Sequence, residues 1–163
     1  MDQAQKRAKD VIAKAGKEFG TMFGRDYSAL TVGYLLDDAE TVIVAMGSVC
    51  GTVKDAIDEM RAEGKKVGLL KIRVFRPFPG EEIAKMLSQV KRIAVLDKNV
   101  SLGSKGATAL EIRDALYGSG IPVKGFILGL GGRDVRKRDI REIVSLVENG
   151  HGDQFYGLRK EVL

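Results

Sequence analysis

Cysteine is nearly absent: Cys50 stands alone among 163 residues. One thiol builds no intrachain disulfide, zinc ribbon or iron–sulfur cluster from this chain, and it suits a reducing compartment. A small buried side chain is the expected role for it. Tryptophan is missing and aromatics make up 6%, so there is no stacking platform for single-stranded nucleic acid. Histidine occurs once, as His151 in a loop without an evident nucleophile beside it, and reads as an exposed residue without a catalytic task. No apolar run approaches the roughly 18 residues of a membrane span. The stretch 1–6 lacks the apolar core of a signal peptide. An excess of one charge is also lacking, since 27 basic residues stand against 22 acidic ones and the two signs are interspersed. A nucleic-acid footprint would gather on one face. The expectation is a cytoplasmic domain with one core and with neither nucleic acid nor membrane as partner.

The apolar pattern gives the organisation. Ala4, Ala8, Val11, Ile12, Ala15, Phe19, Met22 and Phe23 recur at helical spacing, and Gly24 ends the stripe. Residues 1–39 therefore read as a linker helix and an irregular connection. From residue 40 to 150, β-branched runs alternate with amphipathic patterns. Strands are expected at 41–46, 67–75, 92–96 and 122–128, with helices at 49–63, 81–90, 104–117 and around Ile140, Ile143, Val144 and Val147. That alternation predicts a mostly parallel sheet covered by helices on both faces and joined by right-handed crossovers. The tail, 151–163, reads as weakly helical.

In such a sheet ligands sit beyond the carboxyl ends of the strands. After the first strand, Gly47, Ser48, Gly51 and Thr52 form a small-residue turn into a helix. It could hold a phosphate-bearing molecule at the helix N-terminus, or Ser48 could simply cap the helix. Neither the Walker loop nor the dinucleotide fingerprint fits its spacing. After the third strand, Asp97 faces a helix entry carrying Gly103, Lys105 and Gly106, a candidate site for an anion or a partner, or else a compact turn capped by Ser101 or Ser104. The loop at 129–134 suits a close approach by a ligand or a neighbouring domain. No triad, metal set or spaced carboxylate pair stands out, so no catalytic and no metal-binding residue is assigned.

Four ordered stretches resemble one family: Val42-Ile43-Val44-Ala45-Met46-Gly47-Ser48 with its flanks, 64–79 ending in Phe75-Arg76-Pro77-Phe78-Pro79, Ile93-Ala94-Val95-Leu96-Asp97, and Gly129-Leu130-Gly131-Gly132-Arg133-Asp134-Val135. They resemble the C-terminal part of the α subunit of pyruvate:ferredoxin oxidoreductase and its 2-oxoacid relatives, a domain of the transketolase C-terminal type. The resemblance implies a three-layer α/β/α sandwich with about five strands, commonly one antiparallel at an edge. The missing strand is then expected near 30–35 or after Val144. It also implies a noncatalytic docking role in an oligomeric enzyme that turns a 2-oxoacid and coenzyme A into acyl-CoA and carbon dioxide while reducing ferredoxin. Thiamine diphosphate, magnesium and the iron–sulfur clusters are expected in partner domains or subunits, with ferredoxin as a further partner. A free-standing scaffold is the remaining alternative. The resemblance leaves out the cofactor-facing domain of a full α subunit, and the sequence reads equally as a piece of one or as a separately encoded subunit.

Two surfaces are singled out as interfaces. Arg76 and Phe78 sit on a proline-stiffened strand exit, where the residue before proline is biased to an extended form that carries the guanidinium away from the sheet. Arg133, Asp134, Arg136, Lys137 and Arg138 precede a helix where relatives typically place a Thr-Pro-acidic stretch. Cations at a helix N-terminus are unfavourable, which points to an anionic neighbour.

Overall fold

The computed structural model describes residues 2–157. Its element order is α1 (Asp2–Phe23), β1 (Thr31–Tyr34), β2 (Thr41–Met46), α2 (Val49–Ala62), β3 (Val67–Ile72), α3 (Gly80–Met86), β4 (Arg92–Asp97), α4 (Ala107–Ala115), β5 (Val123–Ile127), α5 (Lys137–Glu148) and β6 (Gln154–Phe155). One sheet runs β1-β3-β2-β4-β5-β6. The β1 strand is antiparallel on β3, and the remaining pairs are parallel. The central strands are buried on both faces, as a sheet with helices on either side requires. Ile43, Ala45, Leu69, Ala94, Leu96 and Phe126 face α2 and α5. Val42, Val44, Leu70, Ile93 and Val95 face α3 and α4.

The three-layer architecture expected from the sequence is present, with differences at its margins. The sheet has an antiparallel edge strand at Thr31–Tyr34, inside the expected connection, and a two-residue parallel edge at Gln154–Phe155, inside the expected tail. Both stretches offered for the missing strand therefore contribute. Residues 158–163, the rest of the tail expected to be helical, lie outside the described residues. The β3 strand ends at Ile72 rather than near Phe75, because the Arg73 and Val74 amides turn to the Leu30 carbonyl at 2.9 and 3.1 Å. Helices α3 and α4 are each shorter than their apolar periodicity suggests. Steps β2 to β3 and β3 to β4 run in opposite directions along the sheet and carry their helices on opposite faces, so they share one hand. The step from β5 to β6 runs with the latter but places α5 beside α2, so its hand is opposite.

Helix α1 has no buried residue among those whose burial is described. It meets the body through the Tyr27 amide, which donates to the Gly16 carbonyl at 3.4 Å. It leaves Val11, Phe19, Met22 and Phe23 exposed, with the Phe19 ring 4.5 and 5.6 Å from those of Phe23 and Tyr27.

Candidate functional site

Parallel strands β2 to β5 end on one side of the molecule, and their exit loops carry most of the residues singled out above. In the turn after β2, Ser48 takes the N-cap position of α2 but its hydroxyl caps nothing. The Cys50 and Gly51 amides donate back to the Gly47 and Ser48 carbonyls at 3.4 and 3.0 Å, so two donors that an anion would need are already engaged. Cys50 is buried, and burial pushes its thiol up against the opposing pull of Lys71 and Lys54. It has the inert character expected of a buried thiol.

After β4 the geometry is closed by one carboxylate. Asp97 is 1% exposed. Its oxygens accept the amides of Thr108 and Ala109 at 2.9 and 3.0 Å, while Asn99 Oδ1 accepts that of Ala107 at 3.1 Å. Asp97 therefore caps α4 from the end of the strand, displacing the expected Ser101 or Ser104 caps. The Ser101 and Ser104 amides close the turn instead, on the Lys105 and Ser101 carbonyls. Gly106 is required here, because a Cβ on it would fall inside the Asp97 carboxylate. Gly103 and Lys105 lie on the exposed part of this turn. A small cavity of about 110 Å³ lies beside Asp97, Lys105, Gly106 and Asp153. Asp153 accepts the Gly125 amide at 2.8 Å and pairs with Arg113. Burial raises its pKa, but those two partners outweigh it and hold the carboxyl below the usual range.

The loop after β5 divides the basic run in two. Lys137 pairs with Glu59, and Arg141 reaches both Glu63 oxygens at 2.8 Å, so these two cations fasten α5 to α2. The anionic neighbour of Lys137 lies in the same chain, and Glu59 lifts the Lys137 pKa. Arg133, Arg136 and Arg138 instead line a cavity of about 290 Å³ with Gly129, Asp134 and Tyr156. Asp139 moderates the helix start by accepting the Arg136 amide at 2.8 Å.

On the exit from β3 the peptide between Arg76 and Pro77 is cis. Arg76 does not stand clear of the sheet: its guanidinium lies 4.2 Å from the Phe75 ring centroid and pairs with Glu111 of α4. Phe78 is partly buried against the α3–α4 face and meets Phe75 edge-on at 5.8 Å. With Gln5, Lys6 and Lys9 of α1, residues Arg76, Pro77 and Phe78 border a cleft of about 360 Å³.

The exit loops bring Asp97 and Lys105 to one cavity and the three arginines to a neighbouring one, while Gly47, Ser48, Gly51 and Thr52 line neither of them. His151 is exposed and also lines neither. Sequence reasoning missed Asp153 and Tyr156, which reach these cavities through β6. A two-residue strand carries no periodic signal by which to find them.

A family model described as "Pyruvate:ferredoxin oxidoreductase core domain II" matches residues 39–140. The pyruvate synthase subunit PorA of Methanocaldococcus jannaschii is 49% identical over 155 residues, covering 94% of this chain and 39% of that protein. The ketoisovalerate oxidoreductase subunit VorA of Pyrococcus horikoshii is 46% identical over 167 residues, covering 97% of this chain and 42% of its own length. The chain thus spans about two fifths of the curated relatives it matches. Among solved structures, the 2-oxoglutarate:ferredoxin oxidoreductase of Magnetococcus marinus superposes with a TM-score of 0.54 at 20% identity, over 82% of this chain and 21% of that one. A split-gene transketolase gives 0.54 at 18% identity, over 72% of this chain and 40% of that one. At such identities the likeness is one of fold.

Proposed function

The chain belongs to the pyruvate:ferredoxin oxidoreductase core domain II family, and from that premise we propose that it is a noncatalytic structural and docking domain of a thiamine-dependent 2-oxoacid:ferredoxin oxidoreductase. In this reading the assembled cytoplasmic enzyme converts a 2-oxoacid, pyruvate first among the candidates, and coenzyme A to acyl-CoA and carbon dioxide while ferredoxin is reduced. The observation that carries it is the family match from residue 39 to 140, which spans β2 to β5 and reaches into α5. The apolar face of α1 supports docking, since clustered exposed aromatic and aliphatic residues mark surfaces that another unit covers.

Thiamine diphosphate with magnesium and the iron–sulfur clusters belong, in this proposal, to other domains or subunits. The metal-ligating residues of the chain support this placement of the metal and the clusters. Among the described residues no three of His, Cys, Asp and Glu gather into a metal-binding group, and the one cysteine is buried. No helix among them is long and apolar enough to cross a membrane.

Co-expression of the chain with the thiamine-binding and ferredoxin-like subunits of the same enzyme tests the proposal. The chain should co-purify with them, and ferredoxin reduction dependent on 2-oxoacid and coenzyme A should require it. Comparing pyruvate, 2-oxoisovalerate and 2-oxoglutarate would then name the substrate. Calorimetry that finds micromolar, magnesium-dependent thiamine diphosphate binding to the chain alone would overturn the noncatalytic assignment. Full activity of the other subunits without the chain would overturn the docking role.

A further inference from the structure

The cavity beyond β5 and β6 is lined by three guanidinium groups, from Arg133, Arg136 and Arg138, against the carboxylates of Asp134 and Asp139. Lys98 passes close to the same loop, its Cε 2.9 Å from where a Cβ on Gly129 would lie, but it is not part of the lining. The cations here are poorly matched by their own neighbours. Arg136 stands 3.8 Å from Asp134 and Arg138 stands 3.5 Å from Asp139, with side chains 60% and 75% exposed. Arg133 donates to the Leu130 carbonyl at 3.1 Å. By contrast, Arg141, three residues beyond Arg138, holds Glu63 at 2.8 Å. Asp139 is further occupied by the Arg136 amide, and Glu142, next to the lining, is occupied by the Tyr156 hydroxyl, which donates to it at 2.6 Å. The opening at Gly129 depends on glycine, which sits at φ +66 with Lys98 and Val135 close by.

Chemistry and size together select a ligand. Three arginines in the lining, against Asp134 and Asp139, leave a net positive cavity, and a phosphate, with several acceptor oxygens, can take charge-assisted hydrogen bonds from more than one guanidinium at once. Planar guanidinium forks suit tetrahedral oxyanions. A volume of about 290 Å³ lies at the lower bound of ordinary ligand pockets, roughly 300 Å³, and so admits a phosphate with a small substituent rather than a dinucleotide. The position, beyond the carboxyl ends of parallel strands, is where ligands of such sheets bind. We propose that this cavity binds a compact phosphate-bearing small molecule, with Arg133, Arg136 and Arg138 holding the phosphate.

The proposal stands apart from the assembly reading, because its test needs only this chain. Calorimetric and ³¹P NMR titrations with inorganic phosphate and with pyrophosphate, at constant ionic strength set by chloride, should show saturable binding. The double variant Arg136→Gln/Arg138→Gln should weaken it by about tenfold or more. Arg133→Gln should weaken it as well, while Lys137→Gln and Gly51→Val should leave it unchanged. Circular dichroism and melting curves would show that each variant is folded. Absence of saturable binding by either probe, or equal binding in the double variant, would overturn the site. Succinate binding as tightly as phosphate would overturn the phosphate assignment, and a glutamate-rich peptide that binds where phosphate does not would replace the small molecule with an acidic protein segment.

Discussion

After β4 the chain leaves the sheet on a buried carboxylate and enters α4 through Gly106; on the neighbouring strand it leaves β5 through Gly129 and enters α5 through arginines. The two loops lie side by side, joined where the Leu128 amide donates to the Asp97 carbonyl at 3.0 Å, and in sequence both are glycine-rich with charges close by. The first is complete in itself, since Asp97 satisfies two amides at the start of α4 with charge-assisted hydrogen bonds. The second satisfies its helix start with Asp139 and leaves Arg136 and Arg138 with carboxylates no nearer than 3.8 and 3.5 Å. Glycine near a charge thus says little about function. What separates a cap from a candidate binding surface is whether the charge already has a partner at hydrogen-bond distance.

Replacing Asp97 should break this contrast most severely. Asp97→Ala leaves the Thr108 and Ala109 amides unpaired in a buried place and should cost about 2–4 kcal/mol of stability in denaturant titrations. Asp134→Ala in the other loop should stay within about 0.5 kcal/mol. Equal losses would show that the two loops are not different in kind. Gly106→Ala comes next: the added methyl meets the Asp97 carboxylate, and the same titration should show a loss of about 1–3 kcal/mol.

Much of this was legible beforehand. Unbroken apolar runs at 42–45 and 93–96 announced strands buried on both faces, and the i, i+3, i+4 spacing of Ile140, Ile143, Val144 and Val147 announced α5. The role of Asp97 was not legible, because its partners lie 11 and 12 residues away and depend on how strand and helix meet. Nor was the division of the basic run, since Glu59 on α2 and Glu63 just past its end lie 78 residues before the cations they bind. Strand β1 was offered only as one of two alternatives, being four residues long with a glycine at its centre.

The central claim, that this domain serves assembly rather than chemistry, meets its most direct test at Arg76. Its pair with Glu111 is more than half exposed on the arginine side. Arg76→Ala should therefore change the stability of the isolated chain by under about 1 kcal/mol, while weakening co-purification with the other oxidoreductase subunits by about 1 kcal/mol or more. Unchanged co-purification, with the loss confined to stability, would contradict the account and assign the Phe75 to Pro79 exit to the fold alone.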